Sequence, residues 1–257
     1  MMLRSDATCE MVRNAEAMPS LRSRIGLNAT NFFLAEVLGV IMPFLAKFLA
    51  ERDWRDDAIG MAIAVSGLGL CLMQTPAGFL VDRVKQRRWL LVGSSLVVGV
   101  CFGILPLVPT TAWIVDSLLF LGGVGQAFFT PLLGALALGL VGHAALNGTI
   151  GVNQGWNHAG NIAAAVSAML LVGWLGLPSI FYTVIVISIL AAGSVLVIRE
   201  DEIDESRATG ADVGERPEQF RKLLSDPRVL VLFAATALFH LANAPVMPLV
   251  GLYIGRL

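Results

Sequence analysis

The sequence predicts an all-α polytopic membrane protein, and three observations carry that prediction. Hydrophobic residues make up 56% of the 257 positions and charged residues only 14%, against about 25% charged in a soluble domain. The apolar residues are gathered in runs long enough to cross a hydrocarbon core of about 30 Å at about 1.5 Å per residue. Of the 18 cations only Lys47, near the end of the first run, falls inside one of them. Runs of this length satisfy their own backbone hydrogen bonds in lipid only as helices.

Taken in order, the runs predict seven spans, at 27–49, 58–81, 89–108, 112–140, 149–173, 179–198 and 229–254. The fourth is too long for one straight crossing, so Pro131 bends it or its end projects from the membrane. The third and sixth carry only Ser, Thr and Tyr as polar side chains beyond their edges and can face lipid. In the fifth, Gly155, Ala159 and Ala163 recur at a spacing of four and predict a face for close helix contact. The expected domains are a cytoplasmic tail at 1–26, a six-helix bundle at 27–198, a charged cytoplasmic linker at 199–228 and a seventh helix within 229–257.

Orientation follows from the cations. With the N-terminus inside, 14 of the 18 Lys and Arg residues lie on the cytoplasmic side: four in the tail, four at 83–88 and six at 199–228. Such a bias sets topology. Trp54, Trp89, Trp113 and Trp174 lie at predicted membrane edges, where amphipathic rings settle. Trp156 lies inside the fifth span.

Composition also excludes functions. A net charge of -1 with no basic groove or zinc spacing argues against nucleic acid. Cys9, Cys71 and Cys101 are scattered and suggest neither a disulfide framework nor a metal site. The first twenty residues lack the apolar core of a signal peptide. No phosphate-binding Gly-Lys-Ser/Thr loop, no Gly-x-Ser-x-Gly elbow and no paired intramembrane Asp is present, so the sequence is read as no enzyme and as needing no cofactor.

One turn carries a motif. Gly78-Phe79-Leu80-Val81-Asp82-Arg83, followed by Arg87-Arg88, joins the second and third spans. It resembles the loop between helices 2 and 3 of the major facilitator superfamily, with Lys85 in place of that pattern's second Gly and Gln86 in place of a basic residue. Asn31-Phe32-Phe33-Leu34-Ala35-Glu36 and Phe239-His240-Leu241-Ala242-Asn243-Ala244 resemble the first helix of each bundle in a bacterial subgroup of these permeases. The resemblance implies a major-facilitator-like six-helix bundle followed by one helix of a second bundle, the remainder of which is absent. It also implies an inner-membrane transporter that moves a small-molecule substrate by alternating access, with helices 1 and 4 lining a cavity and helices 3 and 6 outside. It assigns Gly78, Asp82, Arg83, Arg87 and Arg88 to a conformational loop, with Asp82 facing the second bundle. Some family marks are missing. No Arg precedes Gly122-Gly123-Val124-Gly125, no acid follows at 139–143, and no Gly-Pro stands in the fifth span. The chain is therefore not read as a drug antiporter.

Polar groups within spans are costly and mark candidate pathways. Glu36 lies about 14 Å into the first span at 1.5 Å per residue, near the level where such transporters hold substrate and ions. It is either a carboxylate for a coupling proton or substrate, or a structural acid bonded to a neighbouring helix. Asp116 lies four residues from an outer edge and reads as a solvated helix-end acid. Asn153, Gln154, Asn157, His158 and Asn161 fall within an arc of about 140° at 100° per residue. That arc either lines the pathway or bonds to other helices. His240 and Asn243 share a face just before Pro245 and Pro248 break the seventh helix, and read as pathway groups or as a kink with a bonded His. A seven-span receptor fits the number of spans but leaves the basic turn unexplained, and its seventh span has no Lys for a retinal Schiff base. A non-transporting scaffold fragment is the other alternative.

Overall fold

A computed structural model describes residues 18–209 and 225–243. Helix α1 (Leu21–Ala50) starts where the Ser20 side chain accepts the Ser23 N–H, satisfying one of the free donors of the first turn. Helix α2 (Asp56–Arg83) opens with Asp56 and Asp57 in its first turn, the sign that a helix N-terminus favours. Helix α3 (Arg87–Gly103) runs on through a 3₁₀ turn at Leu105–Leu107. Arg52 closes the adjoining turn by donating to the Leu105 and Pro106 carbonyls, both at 3.2 Å, while stacking 4.0 Å over Phe48.

The predicted fourth span is two helices, α4 (Ala112–Gln126) and the first arm of α5 (Phe129–Leu175). The interruption falls at Ala127–Phe128, four and three residues before Pro131. A proline ring crowds the carbonyl four residues back and offers it no N–H, so the bend predicted for Pro131 appears one turn upstream. The second break was not expected. Instead of a loop at 141–148, α5 continues through that stretch and kinks at Gly142, with φ 68° and ψ 176°. Only glycine adopts that backbone readily. Helix α6 (Pro178–Val197) follows, with Pro178 in its first turn, where the missing N–H costs nothing.

The helices pack in the series α5–α1–α6–α3–α4–α2, each touching the next. Small residues set the close contacts. A Cβ at Gly160 would lie 2.1 Å from the Phe32 oxygen, and one at Gly39 would lie 2.9 Å from the Ala164 Cβ. On α5, Gly160 and Ala164 thus meet α1, and Asn153 and Ala168, at matching helical spacing, are buried with them. The predicted small-residue face is corrected here: Gly155 is exposed with no atom within 4 Å of its Cβ position. The glycine run of α4 serves two neighbours. Gly123 meets the Ser66 carbonyl of α2, while Gly122 and Gly125 meet Phe102 and Val98 of α3. Close backbone approach of this kind is how helices associate where lipid is as apolar as leucine.

Helices α3 and α6 pack against each other through Gly99, Gly103 and Ser95, whose hydroxyl donates to the Ser188 carbonyl at 3.0 Å. Each still presents an apolar outer face, Val97 and Val100 on α3 and Val186 and Ile189 on α6. The least buried long helix is α2, not one of these.

After α6 the chain does not leave the bundle at once. A 3₁₀ turn at Glu200–Glu202 and a short helix α7 (Glu205–Ala208) fold back onto the first arm of α5. The Asp204 N–H donates to the Gly139 carbonyl at 3.0 Å, and Ala208 and Ile203 rest on Gly139. Helix α8 (Pro227–Asn243) belongs to a second unit. Its continuation to residue 254 and the side chains of His240 and Asn243 lie outside the described residues.

Candidate functional site

The basic turn is built around a buried cation. Arg87 is 2% exposed, and a guanidinium so placed needs partners for its donors. Its Nε donates to the Val81 carbonyl at 3.1 Å and Nη2 to the Asp82 carbonyl at 3.5 Å. Its Nη1 pairs with Glu205 Oε2 of α7. Arg88 repeats the arrangement nearer solvent, donating to Glu200 Oε2 at 3.0 Å and to the Leu196 carbonyl at 3.1 Å. Arg83 and the Asp82 side chain are exposed, and Gly78 has open space at its Cβ position.

The acids that pair with this turn are Glu200 and Glu205, more than a hundred residues beyond the arginines they meet, and not a residue at the end of the fourth span. Sequence reading missed both residues. Their signal was the run Arg199-Glu200-Asp201-Glu202 directly after the sixth span.

The same segment is tied to the start of α1. The Ser20 N–H and hydroxyl both donate to Glu202 Oε2 at 3.0 Å, and the Arg199 N–H donates to the Ser23 hydroxyl at 3.0 Å. Hydrogen bonds from Ser206 and the Arg207 charge hold Asp204 below the usual carboxylate range. Arg199 does the same for Asp201. Burial works to raise Glu202, but bonds from Ser23 and Ser20 outweigh it and leave that carboxyl lowered. Carboxyls lowered by folding stabilise the docked segment above their unfolded values, and that stability is lost as pH falls through the folded values. Residues 199–208 are thus expected to stay docked at neutral pH and to loosen below about pH 4, the ordinary carboxylate value. Hydrogen exchange at the Ser206 and Arg207 amides measures this. Undiminished protection at pH 3 in a folded bundle would show that these carboxylates do not hold the segment.

The second group of polar side chains lies between α1 and the second arm of α5. Glu36 is half-buried on α1, with the Ser167 side chain of α5 in hydrogen-bonding reach of its carboxyl. One turn along, a Cβ at Gly39 would meet Asn161 Oδ1 at 3.0 Å. Asn161 Nδ2 donates to the Asn157 carbonyl at 3.0 Å and to Asn157 Oδ1 at 3.3 Å. The predicted arc divides. Asn153 is buried, and its Oδ1 has no partner among the described residues. Asn157 is half-buried, while Gln154, His158 and Asn161 are exposed. Trp156 lies edge-on to Phe32 across the helix contact, ring centroids 6.4 Å apart, which accounts for a tryptophan away from the membrane edges. Asp116 is half-buried between α2 and α4, beside Ser117 and Phe120, with Oδ1 unpartnered among the described residues.

Comparison with known proteins bears on this architecture. The family model of the Major Facilitator Superfamily matches residues 26–257. An uncharacterized MFS-type transporter of Mycobacterium tuberculosis is 33% identical over 231 residues, covering 88% of this chain and 55% of that protein. Macrolide efflux protein A of Streptococcus pyogenes is 24% identical over 164 residues, 62% of this chain and 40% of its own length. Macrolide efflux protein A of Enterococcus faecalis is 27% identical over 146 residues, 54% of this chain and 45% of its own length. The chain spans about half the length of the curated relatives it matches. With its all-helical bundle of membrane-spanning length and a family match across nearly the whole sequence, the chain is an integral membrane protein that belongs to the Major Facilitator Superfamily.

Proposed function

We propose that this bundle handles substrate in a secondary active transporter of a bacterial inner membrane, moving a small solute by alternating access. The observation that carries the reading is Glu36, half-buried opposite Ser167, with Asn161, itself bonded to Asn157, one turn away beside Gly39. A carboxyl at that depth can take up and release a proton as access alternates, and the exposed Asn161 amide near it can bind a polar group. Lipid cannot satisfy that amide, so a second bundle would close over it in the working protein.

The test is uptake by cells expressing the protein from its complete reading frame. Glu36→Gln is expected to abolish the pH dependence of transport while the protein still reaches the membrane. A mutant with the parent's pH profile would leave Glu36 a structural acid. The macrolide efflux relatives make an amphipathic organic solute the first substrate class to assay.

In this reading the N-terminus, the 83–88 turn and the 199–208 segment are cytoplasmic, and Asp82 is the exposed acid that meets the other bundle. Its motive is the charge asymmetry, 14 of 18 cations on that side. Gln86→Cys in intact cells is expected to resist a membrane-impermeant maleimide and to label after lysis. Labelling before lysis would reverse the orientation.

A further inference from the structure

The end of the bundle that holds the basic turn also holds a cavity of about 350 Å³ with no assigned role. It lies between the first turns of α1 and the kink of α5. Its walls are apolar, drawn from Leu27 of α1 and from Leu140, Val141 and Val152 on the two sides of Gly142. The kink at Gly142 borders this space, with lining residues on both of its sides. At its rim stand Arg24 and Asn28.

Most arginines at this end already have partners. Arg87, Arg88, Arg199 and Arg207 are each paired with a carboxylate, and Arg22 donates to the Val197 carbonyl. Arg24, like Arg83 and Lys85, has no ion-pair partner among the described residues, but unlike them it lines this groove, whose lining holds no acid. A guanidinium above an apolar slot, at the level where a membrane helix begins, matches one kind of molecule: an anion carrying a hydrocarbon chain. Basic pockets between helices on the cytoplasmic side bind anionic headgroups in this way.

We propose that this groove binds one anionic phospholipid, its phosphate on Arg24 and Asn28 and an acyl chain along Leu27, Leu140 and Val152. The proposal rests on the cytoplasmic placement of this end. The lipid would brace the kink against α1 beside the polar face of α5. The bilayer supplies the occupant at that depth at all times, whereas a soluble anion would leave the apolar walls uncovered.

The test is thermal unfolding of the purified chain in a neutral detergent, titrated with phosphatidylglycerol, phosphatidylcholine or inorganic phosphate. Phosphatidylglycerol is expected to raise the melting temperature saturably, and the other two are not. Arg24→Gln should weaken the half-saturating phosphatidylglycerol concentration by about fivefold, the effect of one basic residue at an anionic surface. Arg24 is exposed, so the variant should fold as the parent does. Val152→Trp, at another exposed position, should fill the groove and remove the response with Arg24 intact. Arg55→Gln, at an exposed cation outside the groove, should leave the phosphatidylglycerol response unchanged. Equal stabilisation by phosphatidylcholine, an unchanged response in Arg24→Gln or Val152→Trp, or full stabilisation by phosphate alone would each overturn the proposal.

Discussion

Gly160→Ala is expected to destabilise the bundle, and Gly155→Ala to stabilise it, although both place one methyl group on the same helix. Intrinsic helix propensity favours alanine over glycine by about 0.8–1 kcal/mol at either site. At Gly155 nothing lies within 4 Å of the new Cβ, so propensity alone acts. At Gly160 the Cβ would stand 2.1 Å from the Phe32 backbone oxygen and 3.1 Å from the Ala35 Cβ. No rotamer relieves a clash with a carbonyl, so α1 and α5 must separate by more than 1 Å. Overpacking costs about 1–3 kcal/mol where side chains can shift, and here they cannot. The upper figure, less the propensity gain, leaves a net loss of about 2 kcal/mol. Thermal unfolding of the two purified variants in one detergent decides the matter. A Gly160→Ala variant at least as stable as the parent would mean that α1 and α5 do not meet through this face.

That contrast also marks what the sequence could tell. The helices were legible because apolar runs of twenty or more residues have one outcome in lipid, and the charged turns between them are unmistakable. Which face of a helix meets which neighbour was not. The fifth span carries two interleaved small-residue stripes, at 155, 159, 163 and at 160, 164, 168, and spacing alone does not choose between them. The choice is made by Gly39 and Phe32 on another helix. Gly142 was hidden for a different reason. A glycine between Val141 and His143 reads equally as loop or helix, and only its positive φ reveals the kink. In the site, Glu36 stood out as an acid in an apolar run, but its neighbour Ser167 is 131 positions away, and no local pattern links them. The ion pairs of Arg87 and Arg88 were hidden in the same way, because the acids that complete them lie in what reads as a linker.

Glu205→Ala is expected to cost more stability than Arg87→Met, although Glu205 is the more exposed partner. The side chains are 41% and 2% exposed respectively. Removing the acid leaves a guanidinium buried with only the Val81 and Asp82 carbonyls for company. An uncompensated buried charge costs about 3–5 kcal/mol. Because water can reach the vacated side of this pair, the lower figure, about 3 kcal/mol, is the expected loss. Removing the arginine instead leaves a glutamate that can turn to solvent, and methionine keeps most of the buried apolar volume. Exchange of a buried ion for an apolar group of similar size is often near neutral, so Arg87→Met should cost about 1 kcal/mol. The double variant should then resemble Arg87→Met alone, since the acid has nothing left to compensate. Glu200→Ala is the internal comparison. Glu200 is 71% exposed, and an ion pair of that exposure contributes about 0–1 kcal/mol. Thermal melts of the four variants, read as a double-mutant cycle with Glu200→Ala alongside, measure these differences. If Arg87→Met proves the costlier single change, the buried guanidinium is held by its carbonyl bonds and not by Glu205, and the 199–208 segment is not what fixes the basic turn.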